Sequence, residues 1–341
     1  MYRVHGGPNG VPRSFCVVIF TDDHFFCGVF PYLILLLYFL QCRMKEETQV
    51  NAQDARTIHQ TNNPRNQDGI GEKELLVVSF GTSYLDSCRL TIGAIEDALE
   101  RAFPGYDLRR SFTSQMIIKH IQRRDGISID NVTQALDRAV SNGVKHLVIQ
   151  PTHIMDGFEY QKLTKEAARY QDAFVSLSVG APLLTSDEDF RIVADALAAS
   201  VAAYDDGKTA ICFMGHGTEA AANEVYERMQ KKLTDSGRDN YFIGTVEATP
   251  TVEKVLSLVK AGNYKRVLLQ PMMIVAGDHA NNDMAGEEEG SWKSIFESAG
   301  YEAVCQVHGL GELEAIQNLF VKHAKAAIEV ISSLYATRKR N

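Results

Sequence analysis

His216, Glu247 and His279 are the residues of this chain whose types and positions best suit joint chemistry. Each comes soon after a short apolar run: Ala210–Met214, Tyr241–Val246 and Arg266–Gln270. They lie 31 and 32 residues apart, so only the elements that carry them can bring them together. Two imidazoles and a carboxylate suit a divalent first-row metal that keeps coordination positions open. The same groups can take up protons near neutral pH. Each residue also has a plainer reading. His216 between two glycines fits a turn, Glu247 ahead of Pro250 fits a helix cap, and His279 in GDHANND fits a polar loop. Spacing alone does not separate these readings.

The elements that must position the three residues read as α/β. Apolar runs at Leu75–Phe80, Leu108–Phe112, His146–Gln150 and Phe174–Val179 are followed by a second set. That set is Ala210–Met214, Tyr241–Val246, Arg266–Gln270 and Ala303–Val307. Their Val, Ile, Leu and Phe content is that of strands buried on both faces. Amphipathic stretches lie between them, among them Leu90–Ala102, Val132–Ser141, Ile192–Ala203, Ala220–Leu233, Thr251–Ala261 and Leu313–Leu334. Strand–helix alternation predicts parallel sheets with right-handed crossovers. The expected fold is two similar doubly wound halves, 73–205 and 206–341, each with a mainly parallel four-stranded sheet flanked by helices and with a cleft between them.

The halves align with one another. Leu76–Ser83 (LVVSFGTS) matches Ile211–Thr218 (ICFMGHGT), and Val148–Glu159 matches Leu268–His279 through a shared Gln-Pro and glycine. Arg110–Ser114 over Gly244–Ala248 rests on pattern alone. Ligands of open α/β sheets bind beyond the carboxyl ends of the strands. His216, Glu247 and His279 occupy such positions, and their partners in the first half are Phe80, Thr113 and Glu159. His153 gives way to Met273 in the repeat, so the scaffold itself does not demand histidine there. His153 and Glu159 are therefore candidates to face a ligand from the opposite side.

Composition narrows the rest. A length of 341 residues allows two domains. A net charge of −8, with no long Lys/Arg run, argues against a nucleic-acid partner. Six cysteines without a CxxC pair argue against a zinc ribbon or a disulfide framework. Neither half carries GxGxxG or GxxxxGK[ST], so no nucleotide is expected. A GxSxG nucleophile elbow is also missing. Arg109, Arg110, Lys119, Arg123 and Arg124 gather around the second strand and the segment after it. Arginine suits bidentate binding of carboxylates, although the cluster also reads as a solvated helix face.

The first 72 residues differ from the rest. Phe25–Cys42 is an 18-residue run without charge, long enough for a membrane span. Segment 1–43 reads in three ways: an export signal or anchor with membrane contact through Phe25–Cys42, an untranslated extension upstream of a true start at Met44, or a buried helix. With Met44 as the start the protein is expected in the cytoplasm, and otherwise exported or anchored. Residues 44–72 read as a polar linker with too little apolar surface to order itself.

From about Glu74 to Ile328 the chain resembles the anaerobic-pathway cobaltochelatases of cobalamin synthesis, which are class II chelatases. The resemblance rests on LLVVSFGTSYLDSC, FTSQMIIKHIQRRDGISID, QPTHIMDGFEY, GAPLL, FMGHG, VEATP and MMIVAGDHANNDMAG followed by SWK. It implies ATP-independent insertion of Co²⁺ into sirohydrochlorin, a carboxylate-rich tetrapyrrole, with Fe²⁺ or Ni²⁺ as alternative metals. It implies His216, Glu247 and His279 as metal ligands; His216 is also the candidate proton acceptor, because imidazole titrates near the working pH. Glu159 would be a second catalytic residue facing the ring, with His153 nearby and Arg123 and Arg124 as binding candidates. Cytoplasmic members lack the N-terminal apolar run, while some members are exported. A binding protein that carries a tetrapyrrole without turnover is the competing reading. Duplication lets one subunit build a complete cleft, and a homo-oligomer stays open.

Overall fold

A computed structural model describes residues 63–338, with side chains through Val330. The expectations placed on Phe25–Cys42, on a start at Met44 and on the first part of the linker lie outside the described residues. No helix of the described residues is long and apolar enough to cross a membrane.

The eight apolar runs form eight strands in two sheets of four. The first half contains β1 (Lys73–Ser79), β2 (Asp107–Phe112), β3 (His146–Pro151) and β4 (Ser176–Val179), ordered β2-β1-β3-β4. The second contains β5 (Thr209–Gly215), β6 (Tyr241–Thr245), β7 (Arg266–Pro271) and β8 (Glu302–Cys305), ordered β6-β5-β7-β8. Every pairing is parallel. The central strands β1 and β5 are buried almost throughout, which is why they read as continuous apolar runs.

The registers equate the halves residue by residue. Val78 lies beside Pro151 as Met214 lies beside Pro271. Ser79 lies beside Phe112 as Gly215 lies beside Thr245. Phe80 is thus the counterpart of His216, and Ser114 is the counterpart of Glu247. Backbone bonds agree: Ser114 N donates to Phe80 O at 3.2 Å, and Glu247 N donates to His216 O at 2.9 Å. This corrects the expected match of Thr113 with Glu247 by one residue. The Arg110–Ser114 segment holds no glycine or proline to anchor a comparison, so the slip leaves no trace in the sequence. The match of Glu159 with His279 holds, since Gln161 N reaches Gly157 O as Asn281 N reaches Gly277 O.

Helices cover both faces. In the first half they are α1 (Leu85–Cys88), α2 (Ala94–Ala102), α3 (Gln115–Asp125), α4 (Val132–Ser141), α5 (Phe158–Ala168) and α6 (Asp187–Ser200). A π-helical turn, Arg89–Gly93, joins α1 to α2. Side-chain caps fix several starts: Ser114 accepts from Ile117 N, and Asn131 and Ser186 form capping boxes. The second half adds α7 (Glu224–Asp235), α8 (Val252–Ala261), α9 (Trp292–Ser298) and α10 (Glu314–Arg338).

Each half lends its last helix to the other. The Ser178 hydroxyl on β4 donates to Ala327 O of α10 at 3.0 Å. In the other direction, Gln270 of β7 donates to the Ser200 hydroxyl of α6 at 3.1 Å, and Gln306 donates to Ser200 O at 3.2 Å. The largest apolar core accordingly mixes Val77, Leu99, Phe190 and Leu197 with Phe213, Leu268, Leu319 and Phe320. The repeat in sequence breaks near residue 206, but the packing does not.

Residues 63–72, part of the expected linker, are tied to this body. Arg65 is buried and pairs with Glu96, Asp97 and Glu100 at 2.8–3.1 Å. The anchor is ionic, which a reading of apolar surface does not detect.

Candidate metal centre

His216 follows β5 in a turn whose glycines are fixed by packing. A Cβ on Gly215 would lie 2.1 Å from the Tyr226 ring, and one on Gly217 would lie 2.8 Å from Ala248 N. Gly217 also has φ +89°, a conformation that favours glycine. The Tyr226 hydroxyl accepts from Gly217 N at 3.2 Å and closes the turn. Glu247 sits two residues past β6, bonded through its backbone to His216 O. His279 leads into a π-helical turn, Ala280–Met284.

The three side chains converge. The His216 and His279 rings stand perpendicular with centroids 4.8 Å apart. One ligand atom from each of His216, Glu247 and His279 lies within 4.8 Å of the others. Among the described residues no other group of three His, Cys, Asp or Glu meets this condition. His279 Nδ1 lies 2.7 Å from Asp283 Oδ2, and His216 Nδ1 lies 3.0 Å from Gly217 O. With both Nδ1 atoms protonated and donating there, each Nε2 keeps a free lone pair. His216 Nδ1 also lies 3.5 Å from Glu247 Oε2. The side chains are 43%, 55% and 32% exposed in chain order, so a cation held there stays open to exchange. The donor set fits a divalent first-row ion.

The first half supplies a different edge. Glu159 Oε2, Thr113 Oγ1 and both ring nitrogens of His153 are buried without a hydrogen-bond partner. Burial lowers the His153 pKa to about 4, with the charge of Glu159 opposing the shift. Buried polar atoms without partners are uncommon in native folds and point to a ligand or water that completes them.

Other expected residues lie elsewhere. Arg109 and Arg110 are buried in ion pairs with Glu74 and Glu96, so neither reaches a ligand. Their charges balance carboxylates inside the fold, which is what burying arginine requires. Arg123 and Arg124 stand on the last turn of α3, roughly 14 Å along the helix from its start. Arg124 pairs with Asp125 at 2.7 Å, and Arg123 Nε donates to Lys119 O at 3.2 Å.

The loop that carries His279 has supports of its own. Asp283 orients His279. From the first half, the Ser87 hydroxyl accepts from Ala276 N at 3.0 Å and the Tyr84 hydroxyl donates to Asp278 at 3.2 Å. The His-to-Asp spacing of four residues was visible in GDHANND, whereas the contacts from Tyr84 and Ser87 depend on the fold.

Two pseudo-symmetric α/β halves, with an open group of two imidazoles and one carboxylate at the strand ends of one of them, define a two-half α/β protein whose donors fit a divalent metal ion. The chain matches the cobalt chelatase (CbiK) family over residues 73–329 and belongs to that family. It is similar to the sirohydrochlorin cobaltochelatase of Salmonella typhimurium, 39% identical over 259 residues that span 76% of this chain and 97% of that protein. It is also similar to the sirohydrochlorin cobaltochelatase CbiKC of Nitratidesulfovibrio vulgaris, 31% identical over 262 residues, 76% of this chain and 92% of that protein. Among solved structures, SirB from Bacillus subtilis with Fe³⁺ superposes with a TM-score of 0.52 at 12% identity, covering 75% of this chain and 96% of that one. That likeness supports the fold.

Proposed function

We propose that this protein is a sirohydrochlorin cobaltochelatase, inserting Co²⁺ into sirohydrochlorin without ATP and releasing two protons. The observation that carries the reading is the convergence of His216, Glu247 and His279 from three strand ends, in a chain of the cobalt chelatase family. Two imidazole Nε2 atoms and the Glu247 carboxylate hold the substrate metal on one side of the ring. Three protein ligands leave positions open for pyrrole nitrogens, so metal–protein bonds exchange for metal–nitrogen bonds. Each pyrrole N–H loses its proton as its nitrogen bonds the metal. His216, freed as the metal moves to the ring, accepts one proton. Glu159, whose buried oxygen has no partner, receives the other across the pseudo-twofold. His153 stays neutral beside Glu159 and offers one donor and one acceptor to the ring. Arg123 and Arg124, on the last turn of α3, stay as candidates for the outer carboxylates of the ring.

The test is anoxic absorbance spectroscopy of the full chain with sirohydrochlorin and Co²⁺, beside a His216→Ala/His279→Ala variant. A metal-dependent spectral change in the wild type alone supports the reading. Faster turnover with Fe²⁺ or Ni²⁺ would reassign the metal, and ring binding without insertion of any of them would make the protein a carrier. Location follows the start of translation: a start at Met44 places the chemistry in the cytoplasm, and retention of Phe25–Cys42 places it in an exported or anchored protein. N-terminal sequencing of the isolated protein separates the two. One chain supplies both halves and so the whole of the cleft, with a homo-oligomer left open.

A further inference from the structure

The pseudo-twofold assigns the three metal-ligand positions counterparts in the first half: Phe80 for His216, Ser114 for Glu247 and Glu159 for His279. Only one of these is an acidic or imidazole group. Ser114 is engaged in capping α3. Phe80 has no lone pair at all, so the first half cannot repeat the metal site. What Phe80 does instead follows from its place. It stands one residue beyond β1, as His216 stands one residue beyond β5, and each is followed by a glycine with positive φ, +100° at Gly81 and +89° at Gly217. The two side chains therefore leave their sheets in equivalent directions, toward the strand-end edge.

Phe80 is 47% exposed, whereas Phe112 next to it is fully buried. The Phe112 ring fills the space beneath the turn, where a Cβ on Gly81 would come within 2.6 Å of it. That leaves Phe80 no seat in the core. Met116, two residues past Ser114, is a second exposed apolar side chain after a strand of the same half, at 75%. This edge also holds the partnerless polar atoms of Thr113, His153 and Glu159. An aromatic face bordered by unsatisfied polar atoms is the composition of a ligand-binding surface. It faces the metal loop closely, because Gly277, two residues before His279, sits where a Cβ would be 3.3 Å from the hydroxyl of Thr82, two residues after Phe80.

We infer that Phe80 is a substrate-binding residue whose ring packs against one face of the planar tetrapyrrole, turning the opposite face toward His216 and His279. The inference rests on the chelatase reading and adds to it the residue that sets which face of the ring meets the metal. A phenyl ring suits a macrocycle because aromatic faces attract in offset or edge-on contact and bury large areas.

The test separates ring binding from metal binding in the full chain. Sirohydrochlorin is titrated anoxically without metal and followed by its absorbance. Co²⁺ is titrated without ring and followed by its visible bands. Phe80→Ala is expected to raise the ring Kd about tenfold or more while leaving Co²⁺ binding within twofold of wild type, and Phe80→Trp to keep tight ring binding. A wild-type ring Kd in Phe80→Ala overturns this inference and leaves the chelatase reading standing. Joint loss of ring and Co²⁺ binding in Phe80→Ala overturns the assignment of Phe80 to the ring. Failure of the wild type to bind sirohydrochlorin at all overturns both.

Discussion

Three side chains make the candidate metal site, but a fourth residue sets the direction of one of them. Asp283 accepts from His279 Nδ1 at 2.7 Å and so fixes both tautomer and ring orientation. Removing such a partner typically weakens metal binding 10–100-fold, by the general rule for supporting carboxylates. Asp283→Ala is therefore expected to raise the Kd for Co²⁺ by about that factor, and Asp283→Asn, which keeps an acceptor, by less. Titration of each variant without tetrapyrrole checks this. His153 gives a prediction of a different kind. Its pKa falls from 6.5 to about 4 in the folded protein, chiefly through burial. Between those values the unfolded chain binds a proton that the folded chain refuses, so stability drops as pH falls through that window and is unaffected above it. His153→Gln removes the titration. Its loss of stability from pH 7 to pH 4 is expected to be smaller than wild type by on the order of 2–3 kcal/mol. Urea midpoints at the two pH values measure the difference, and equal losses would contradict the burial of a neutral imidazole.

At the scale of elements, the turn after β5 carries the site. Gly217→Ala forces a side chain into positive φ and against Ala248 N, beside the Glu247 loop. It is expected to cost about 1–3 kcal/mol in stability. Shifting His216 relative to Glu247 by about an ångström is expected to lower turnover on the order of 100-fold. Thermal midpoints and initial rates read the two effects separately. The GHG and GTS turns were legible in the sequence because glycine is demanded by backbone shape, and shape repeats with the fold. Strands β1, β3, β5 and β7 were legible because burial leaves unbroken apolar runs. The edge strand β2 was less so. Asp107, Arg109 and Arg110 make it look like part of a cationic surface, yet the arginines turn inward to Glu74 and Glu96. A buried ion pair between residues 35 apart, as for Glu74 and Arg109, leaves no periodic signal. The same limit hid Arg65 and the one-residue offset at Ser114. The candidate metal-binding residues stand out because of the repeat: where one half has Phe80 and Glu159, the other has His216 and His279.

The whole molecule behaves differently from what the repeat suggests. Two duplicated halves would unfold separately if each closed its own core. Here α6 and α10 cross over, and the central core draws on both sheets. The halves should therefore unfold together. Trp292 is the only tryptophan of the chain, buried in a cluster belonging to the second half. Leu136 is buried in a cluster confined to the first half, on α4. Leu136→Ala removes a buried side chain at a cost of about 2–5 kcal/mol. That corresponds to a fall of roughly 5–15 °C in the thermal midpoint for a domain of this size. If the exchanged helices couple the halves, Trp292 emission reports that same fall, coincident with far-UV circular dichroism. An early dichroism change invisible to Trp292, with the tryptophan transition left at its wild-type temperature, would mean that the first half melts alone. Coupling of this strength has a functional consequence. The loop that carries His279 is held by Tyr84 and Ser87 of the opposite half, so a halves-apart state would lose those supports along with the proposed ring-binding edge. Cooperative closure of the shared core keeps the edge of Phe80 and Glu159 in register with the edge of His216 and His279.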